Sequence, residues 1–182
     1  MYQLGSDPEF EKCLPDTLKE EGGYSNDAHD PGGMTMEGIT QREYDPWRRK
    51  NSLPTQWVKN ISAGEVRTIY HDEYWLPYCP NVPPGLNLCL FDTNVNNGVH
   101  AGMVLLQHSL LVDPDGVWGP QTEGAINALT GSRNLLLSRT IQSFYRLRAV
   151  YYQSLRDYRY FGKDWMRRDL DIEKWALSMV PT

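Results

Sequence analysis

Apolar residues along this chain recur mostly at helical spacing. Phe10, Leu14 and Leu18 fall four apart and predict a first helix that delivers Glu21 at or just past its C-terminal end. Pro15 marks a kink or a late start in that helix, and Gly22-Gly23 supplies a stop. From Gly22 to Ile39 the periodicity disappears into Gly, Asp, Asn and Pro, with Asp30-Pro31-Gly32-Gly33 as a turn signal, so this stretch reads as a loop or short hairpin. Periodicity returns after Thr40, whose spacing to Glu43 is that of a capping box and opens a helix through Tyr44 and Trp47. A second box, Ser62 with Glu65, opens a helix carrying Val66, Ile69, Tyr70 and Tyr74, which Pro77 ends.

The second half is more continuously apolar. Residues 80–85 form a stiff, proline-rich connector, and Leu86 to Val95 predict a strongly buried helix that Gly98 allows to break. Val104, Leu105 and Leu110 continue a further helix as far as the turn Asp113-Pro114-Asp115-Gly116, and a short helix follows Pro120. One long helix is then expected from the cap candidate Ser132 to about Tyr160. The reading that follows is mainly α-helical, with a small hairpin or loop lobe after the first helix.

Composition narrows the picture by exclusion. No run approaches the roughly 20 apolar residues that span a bilayer, and no basic stretch followed by an apolar core marks a secretory signal. Gly5-Ser6 and Glu9-Phe10 are pairs that cloning sites encode, so residues 1–10 are expected to be cloning-derived or disordered. Cys13, Cys79 and Cys89 form no Cys-x-x-Cys pair and read as buried thiols, with a Cys79–Cys89 bridge as the alternative. His71-Asp72-Glu73 is not a zinc helix motif, and His100 and His108 lack partners at ligand spacing, so neither a metal nor another cofactor is expected. Ser109, Ser138 and Ser143 have no nucleophile-elbow context, and the turn at 113–116 lacks the later ligands of a calcium loop.

Net charge is −5 but unevenly spread. Residues 1–132 carry 8 Lys/Arg against 18 Asp/Glu, whereas residues 133–182 carry 10 against 5. The basic end either solvates a helix face or contacts an anionic envelope; nucleic acid is not an expected partner.

Cleaving a glycosidic bond takes a proton donor for the leaving oxygen and a second group that stabilises or traps the oxocarbenium-like centre. Glu21 can be the acid, because a carboxyl at a helix end beside a groove is desolvated and stays protonated near neutral pH. Asp30 can hold a water or stabilise charge across the sugar, and the Thr35 hydroxyl can orient that water. Residue types alone leave a cap and a turn as the competing explanation. Tyr24, Tyr44, Trp47 and Trp57 can line a saccharide groove or fill core and surface. Asp92, Asn94, Asn96 and Asn97 form a polar cluster denser than a buried helix needs. Asp92, Asn96 and Asn97 are candidate groove residues, with helix-end capping as the alternative.

The run Glu21-Gly22-Gly23-Tyr24, Asp30-Pro31-Gly32-Gly33, Thr35 and Gly38-Ile39-Thr40 closely resembles the opening motif of glycoside hydrolase family 108, the phage and bacterial muramidases. The resemblance continues through Tyr70, Tyr74-Trp75, Phe91-Asp92, Val95-Asn96, Gly98, Asp115-Gly116, Gly119-Pro120 and Thr122. Phe161 to Trp165 with Arg168 looks like the signature ending the peptidoglycan-binding region that accompanies the family, so the likeness covers roughly residues 13–170.

It implies a lysozyme-like α+β fold, mainly α-helical, with an N-terminal muramidase lobe over 11–85 and a helical C-terminal lobe over 86–182 packed into one body. It also implies an endolysin that hydrolyses the β-1,4 bond between N-acetylmuramic acid and N-acetylglucosamine, with Glu21 as general acid. Such a protein stays in the host cytoplasm until release and acts at the cell wall, on peptidoglycan glycan strands. Glu21 and Asp30 stand as far apart as in the similar bacteriophage lysozyme pattern, but Asp30 and Thr35 are one residue closer, which leaves the roles of that pair and the stereochemical outcome open. The competing functions are a non-catalytic wall-binding module and a peptidoglycan amidase or peptidase.

Overall fold

The structure, a computed structural model, describes residues 7–19, 34–130 and 134–181. Glu21, Tyr24 and Asp30 lie outside the described residues. The chain divides into two compact units, residues 1–73 and 74–182, and a π-helical turn over Tyr70–Trp75 contains the division.

In the first unit, helix α1 (Pro8–Lys19) begins earlier than Pro15 suggested. The cause is local: the Asp7 carboxylate accepts from the amides of Glu9 and Phe10, both at 3.1 Å, and caps the helix. Its inner face is Phe10, Cys13, Leu14 and Thr17, the i, i+3, i+4, i+7 stripe of an amphipathic helix. Phe10, within the segment expected to be cloning-derived or disordered, is fully buried and meets the His71 ring edge-on at 4.9 Å.

A minimal hairpin follows, β1 (Thr35–Met36) against β2 (Ile39–Thr40), antiparallel with Thr35 opposite Thr40 and Met36 opposite Ile39. Its two-residue turn, Glu37-Gly38, has φ of 47° and 75°, the double left-handed conformation that type I′ hairpins require and that glycine adopts without a Cβ clash. The Tyr70 hydroxyl donates to the Glu37 carbonyl at 2.7 Å and pins the turn.

Both expected capping boxes form. Thr40 caps α2 (Gln41–Lys50) with Glu43, and Ser62 caps α3 (Ala63–Ile69) with Glu65; in each the hydroxyl accepts from the N3 amide while the glutamate accepts from the cap amide.

The second unit is a helical assembly around α4 (Leu86–Asn97), whose residues 86–94 are all buried. It contacts α5 (Val99–Ser109), α7 (Asn134–Ser154) and α8 (Tyr158–Ser178). Gly85, at φ 87°, opens α4 where a Cβ would stand 2.4 Å from the Ala176 carbonyl, so the close approach of α4 and α8 needs glycine there. Gln107 fastens the 113–117 turn, donating to Asp115 at 2.8 Å and to the Val117 carbonyl at 2.9 Å, and accepting from the Gly116 amide at 2.8 Å. Helix α6 (Pro120–Thr130) then leads to α7.

The single long helix expected over 132–160 is two. α7 stops at Ser154, a turn through Leu155 and Asp157 intervenes, and α8 runs on to Ser178. α8 escaped the apolar pattern because its buried face is built from Gly162, Arg168, Asp169, Ile172 and Ala176, of which only Ile172 is large and apolar. All three cysteines are buried thiols, so the Cys79–Cys89 bridge does not form. Among the described residues, no helix is long and apolar enough to cross a membrane.

Candidate functional site

The described part of the motif region is the hairpin and what packs beside it. Thr35 is half-buried on β1, and its strand partner Thr40 is also the cap of α2, so the hairpin and the helix start are one covalent unit. The Gln41 amide donates to the Met34 carbonyl at 2.9 Å, extending that tie by one residue.

Beside it lies a recess of about 380 Å³ lined by Met34, Gln41, Asp45, Thr55, Gln56 and Trp57. Gln41 organises its wall, donating to Asp45 Oδ1 at 2.7 Å and the Gln56 carbonyl at 3.0 Å while accepting from the Val58 amide at 2.6 Å. Trp57 is 66% exposed, although an indole of that size normally covers core. The recess therefore combines a flat apolar face with amide and carboxylate groups, the composition that can hold a polar ring with one apolar face.

Tyr44 sits behind this wall, fully buried. Its hydroxyl accepts from Arg48 at 2.6 Å and from Gln56 at 3.0 Å, and donates to Glu65 at 3.0 Å. Burial pushes the phenol's pKa up. Burial also disfavours the Glu65 charge, but hydrogen bonds from Ser62 and Tyr44 and the Arg48 cation outweigh it, so Glu65 stays below the usual carboxylate range. Tyr44 was a candidate groove residue; buried among these partners, it supports Gln56 from behind the recess.

Asp92, Asn96 and Asn97 belong to the second unit, where Asp92 is sealed inside, Asn97 is half-buried and Asn96 is exposed. Asp92 is fully buried and accepts from Arg148 at 2.6 Å and from Arg168 at 2.7 Å. Arg148 also donates twice to the Tyr152 hydroxyl, at 2.9 and 2.6 Å, and that hydroxyl meets Asn97 Oδ1 at 3.3 Å. Asn96 donates back to the Asp92 carbonyl at 2.7 Å, a local helix contact. The polar density of this helix is thus explained by two buried guanidinium groups that need anions and acceptors.

Asp169 approaches Arg148 at 3.3 Å, yet both its carboxylate oxygens are buried without a hydrogen-bond partner. Burial, reinforced by the Asp92 charge and opposed by Arg148 and Arg168, pushes its pKa up to about 7. Neither Arg148 nor Asp169 was foreseen. An arginine in a helix of mixed polarity reads as solvated, and only its fixed spacing to Tyr152, four residues on, hinted at a common face.

A family model described as glycosyl hydrolase 108 matches residues 14–98. Among solved structures, that of Brucella abortus SagA is similar at 26% identity and a TM-score of 0.81, over 97% of this chain and 98% of that one. No curated protein sequence matches. The likeness extends over the second unit as well as the matched segment, and the architecture is the mainly helical, lysozyme-like α+β fold.

Proposed function

We propose, from the match of residues 14–98 to the glycosyl hydrolase 108 family model, that this protein is an endolysin-type muramidase. It cleaves the β-1,4 bond between N-acetylmuramic acid and N-acetylglucosamine in peptidoglycan, with Glu21 as general acid. The observation that carries this reading is the family match over the segment holding Glu21-Gly22-Gly23-Tyr24, Asp30 and Thr35.

The chemistry divides among these groups. Glu21 gives its proton to the departing glycosidic oxygen as the C–O bond breaks and positive charge spreads onto the sugar ring oxygen. Asp30 either stabilises that charge or takes a proton from the attacking water, and the Thr35 hydroxyl, carried on β1, orients the water. Tyr24 and the open face of Trp57 supply surfaces on which pyranose rings stack, and Gln41, Asp45 and Gln56 offer donors and acceptors for sugar hydroxyls and acetamido groups. Released from the host cytoplasm, such an enzyme acts at the cell wall.

The test is release of reducing ends from purified peptidoglycan. Wild-type protein is expected to produce them, and Glu21→Gln, which keeps the shape but cannot donate the proton, is expected to lower the rate by roughly 10²- to 10⁴-fold. Binding to sacculi with no new reducing ends would select a wall-binding module. Fragments cut at amide bonds, identified by mass, would select an amidase or peptidase.

A further inference from the structure

The two faces of α8 differ in a way that its packing does not require. Gly162, Arg168, Asp169, Ile172 and Ala176 turn inward. At 100° per residue, Arg159, Lys163, Arg167 and Lys174 fall together on the opposite side and all four are exposed. Interleaved with them on that face are Tyr160 and Leu170, 64% and 65% exposed. Tyr158 and Met166 join them in a recess that is also lined by Gly162 and by Arg159, Lys163 and Arg167. Asp164 and Asp171 are displaced to one flank of the stripe.

Cations alone would fit any anionic polymer. Large apolar side chains left in water among them fit a narrower class: a surface that offers anionic groups at one depth and hydrocarbon a few ångströms deeper. Lysine and arginine suit that boundary because their stems lie along apolar matter while the charge stays at the headgroups, and tyrosine suits it because one end of the ring is apolar and the other polar. Charge complementarity points the same way, since residues 133–182 carry net +5 whereas residues 1–132 carry net −10. We infer that the outer face of α8 docks on the surface of an anionic lipid bilayer, lying in the headgroup region without spanning it.

The test is co-sedimentation of the full chain with phosphatidylglycerol-containing vesicles and with pure phosphatidylcholine vesicles. Binding is expected to the anionic vesicles only and to weaken steeply with salt. Arg159→Glu with Lys174→Glu reverses two charges of the stripe and is expected to weaken binding by on the order of tenfold or more. Tyr160→Ser with Leu170→Ser leaves the charge unchanged and is expected to weaken it about fivefold or more through lost apolar burial. All four positions are solvent-facing, so thermal midpoints and cleavage of purified, lipid-free sacculi should stay at wild-type values. No sedimentation with anionic vesicles, or undiminished sedimentation of the charge-reversed variant, overturns the inference. Loss with the charge pair but not with the apolar pair also overturns it, and assigns the face to a soluble anionic polymer instead.

Discussion

The two units each hold a network of arginine, carboxylate and tyrosine, and the networks differ in how they meet water. In the first unit Arg48, Glu65 and Tyr44 are joined to the caps of helix α3 and to the wall of an open recess, and the Glu65 side chain remains 19% exposed. In the second unit Arg148 and Asp92 have no exposure at all. An ion pair with one edge in water can lose a partner and let solvent replace it; a sealed one cannot. The same residue types are therefore arranged for access in one unit and for internal cohesion in the other.

The largest effect expected from this contrast is at Asp92. Asp92→Ala leaves Arg148 and Arg168 facing each other without their shared anion, and should destabilise the protein by about 3–5 kcal/mol. Glu65→Ala should cost less, about 1–2 kcal/mol, because water reaches Arg48 and replaces part of what is lost. Urea unfolding of the two variants checks the order. Equal losses would mean that the two networks are equally sealed.

That contrast also explains which parts of the chain were legible. The capping boxes at Thr40 and Ser62 and the Gly98 break are local devices, each fixed by residues within four positions, and all appear where the pattern put them. The Asp92 cluster is not local: its partners lie 56 and 76 residues away, and no spacing rule joins them. α8 was missed for the same reason, since Arg168 and Asp169 on its inner face break the apolar stripe, and Arg168 finds its counterpart only in Asp92. At the candidate site, residues 22–39 read as a loop or short hairpin with its turn signal at 30–33, whereas the hairpin that forms turns at Glu37-Gly38, and the recess needs Gln41 and Gln56, fifteen residues apart, to meet.

Asp169 sharpens the comparison through pH. Its pKa is raised from the ordinary carboxylate value of 3.8 to about 7, so the native state holds a proton that the unfolded chain releases. Stability from this group is therefore fully present below about pH 4 and is lost as pH rises through about 7, with a span of up to about 4 kcal/mol. Asp92 runs the other way: its pKa is lowered by Arg148 and Arg168 despite burial, so its contribution is present above the ordinary carboxylate range and is lost in acid. Asp169→Asn should flatten the decline between pH 4 and 7 while leaving the acid limb intact. Thermal midpoints measured across that range would show it, and an unchanged slope would remove Asp169 from the account.

The capping residues of the first unit come next in size. Thr40→Ala and Ser62→Ala each remove one half of a capping box and should cost about 1 kcal/mol. They separate on function: Thr40 also pairs with Thr35 across the hairpin, so only Thr40→Ala should slow glycan cleavage, while Ser62→Ala should alter stability alone. A parallel fall in activity for both would mean that the hairpin is not specially coupled to the reaction.

The smallest change in stability, and the most direct probe of the open unit, is expected at Trp57. With two-thirds of its surface in water it contributes little to folding, so Trp57→Ala should shift stability by no more than about 0.5 kcal/mol. If the recess holds a sugar ring against the indole, the same change removes a stacking face worth about 0.5–1.5 kcal/mol, a roughly two- to tenfold rise in KM. kcat should hold, because the contact serves ground state and transition state alike. Trp57→Phe restores an aromatic face and should recover most of the affinity. Titration with soluble glycan fragments measures this apart from catalysis. An unchanged KM in Trp57→Ala would make the exposed indole ordinary surface, and would leave the recess without a part in substrate binding.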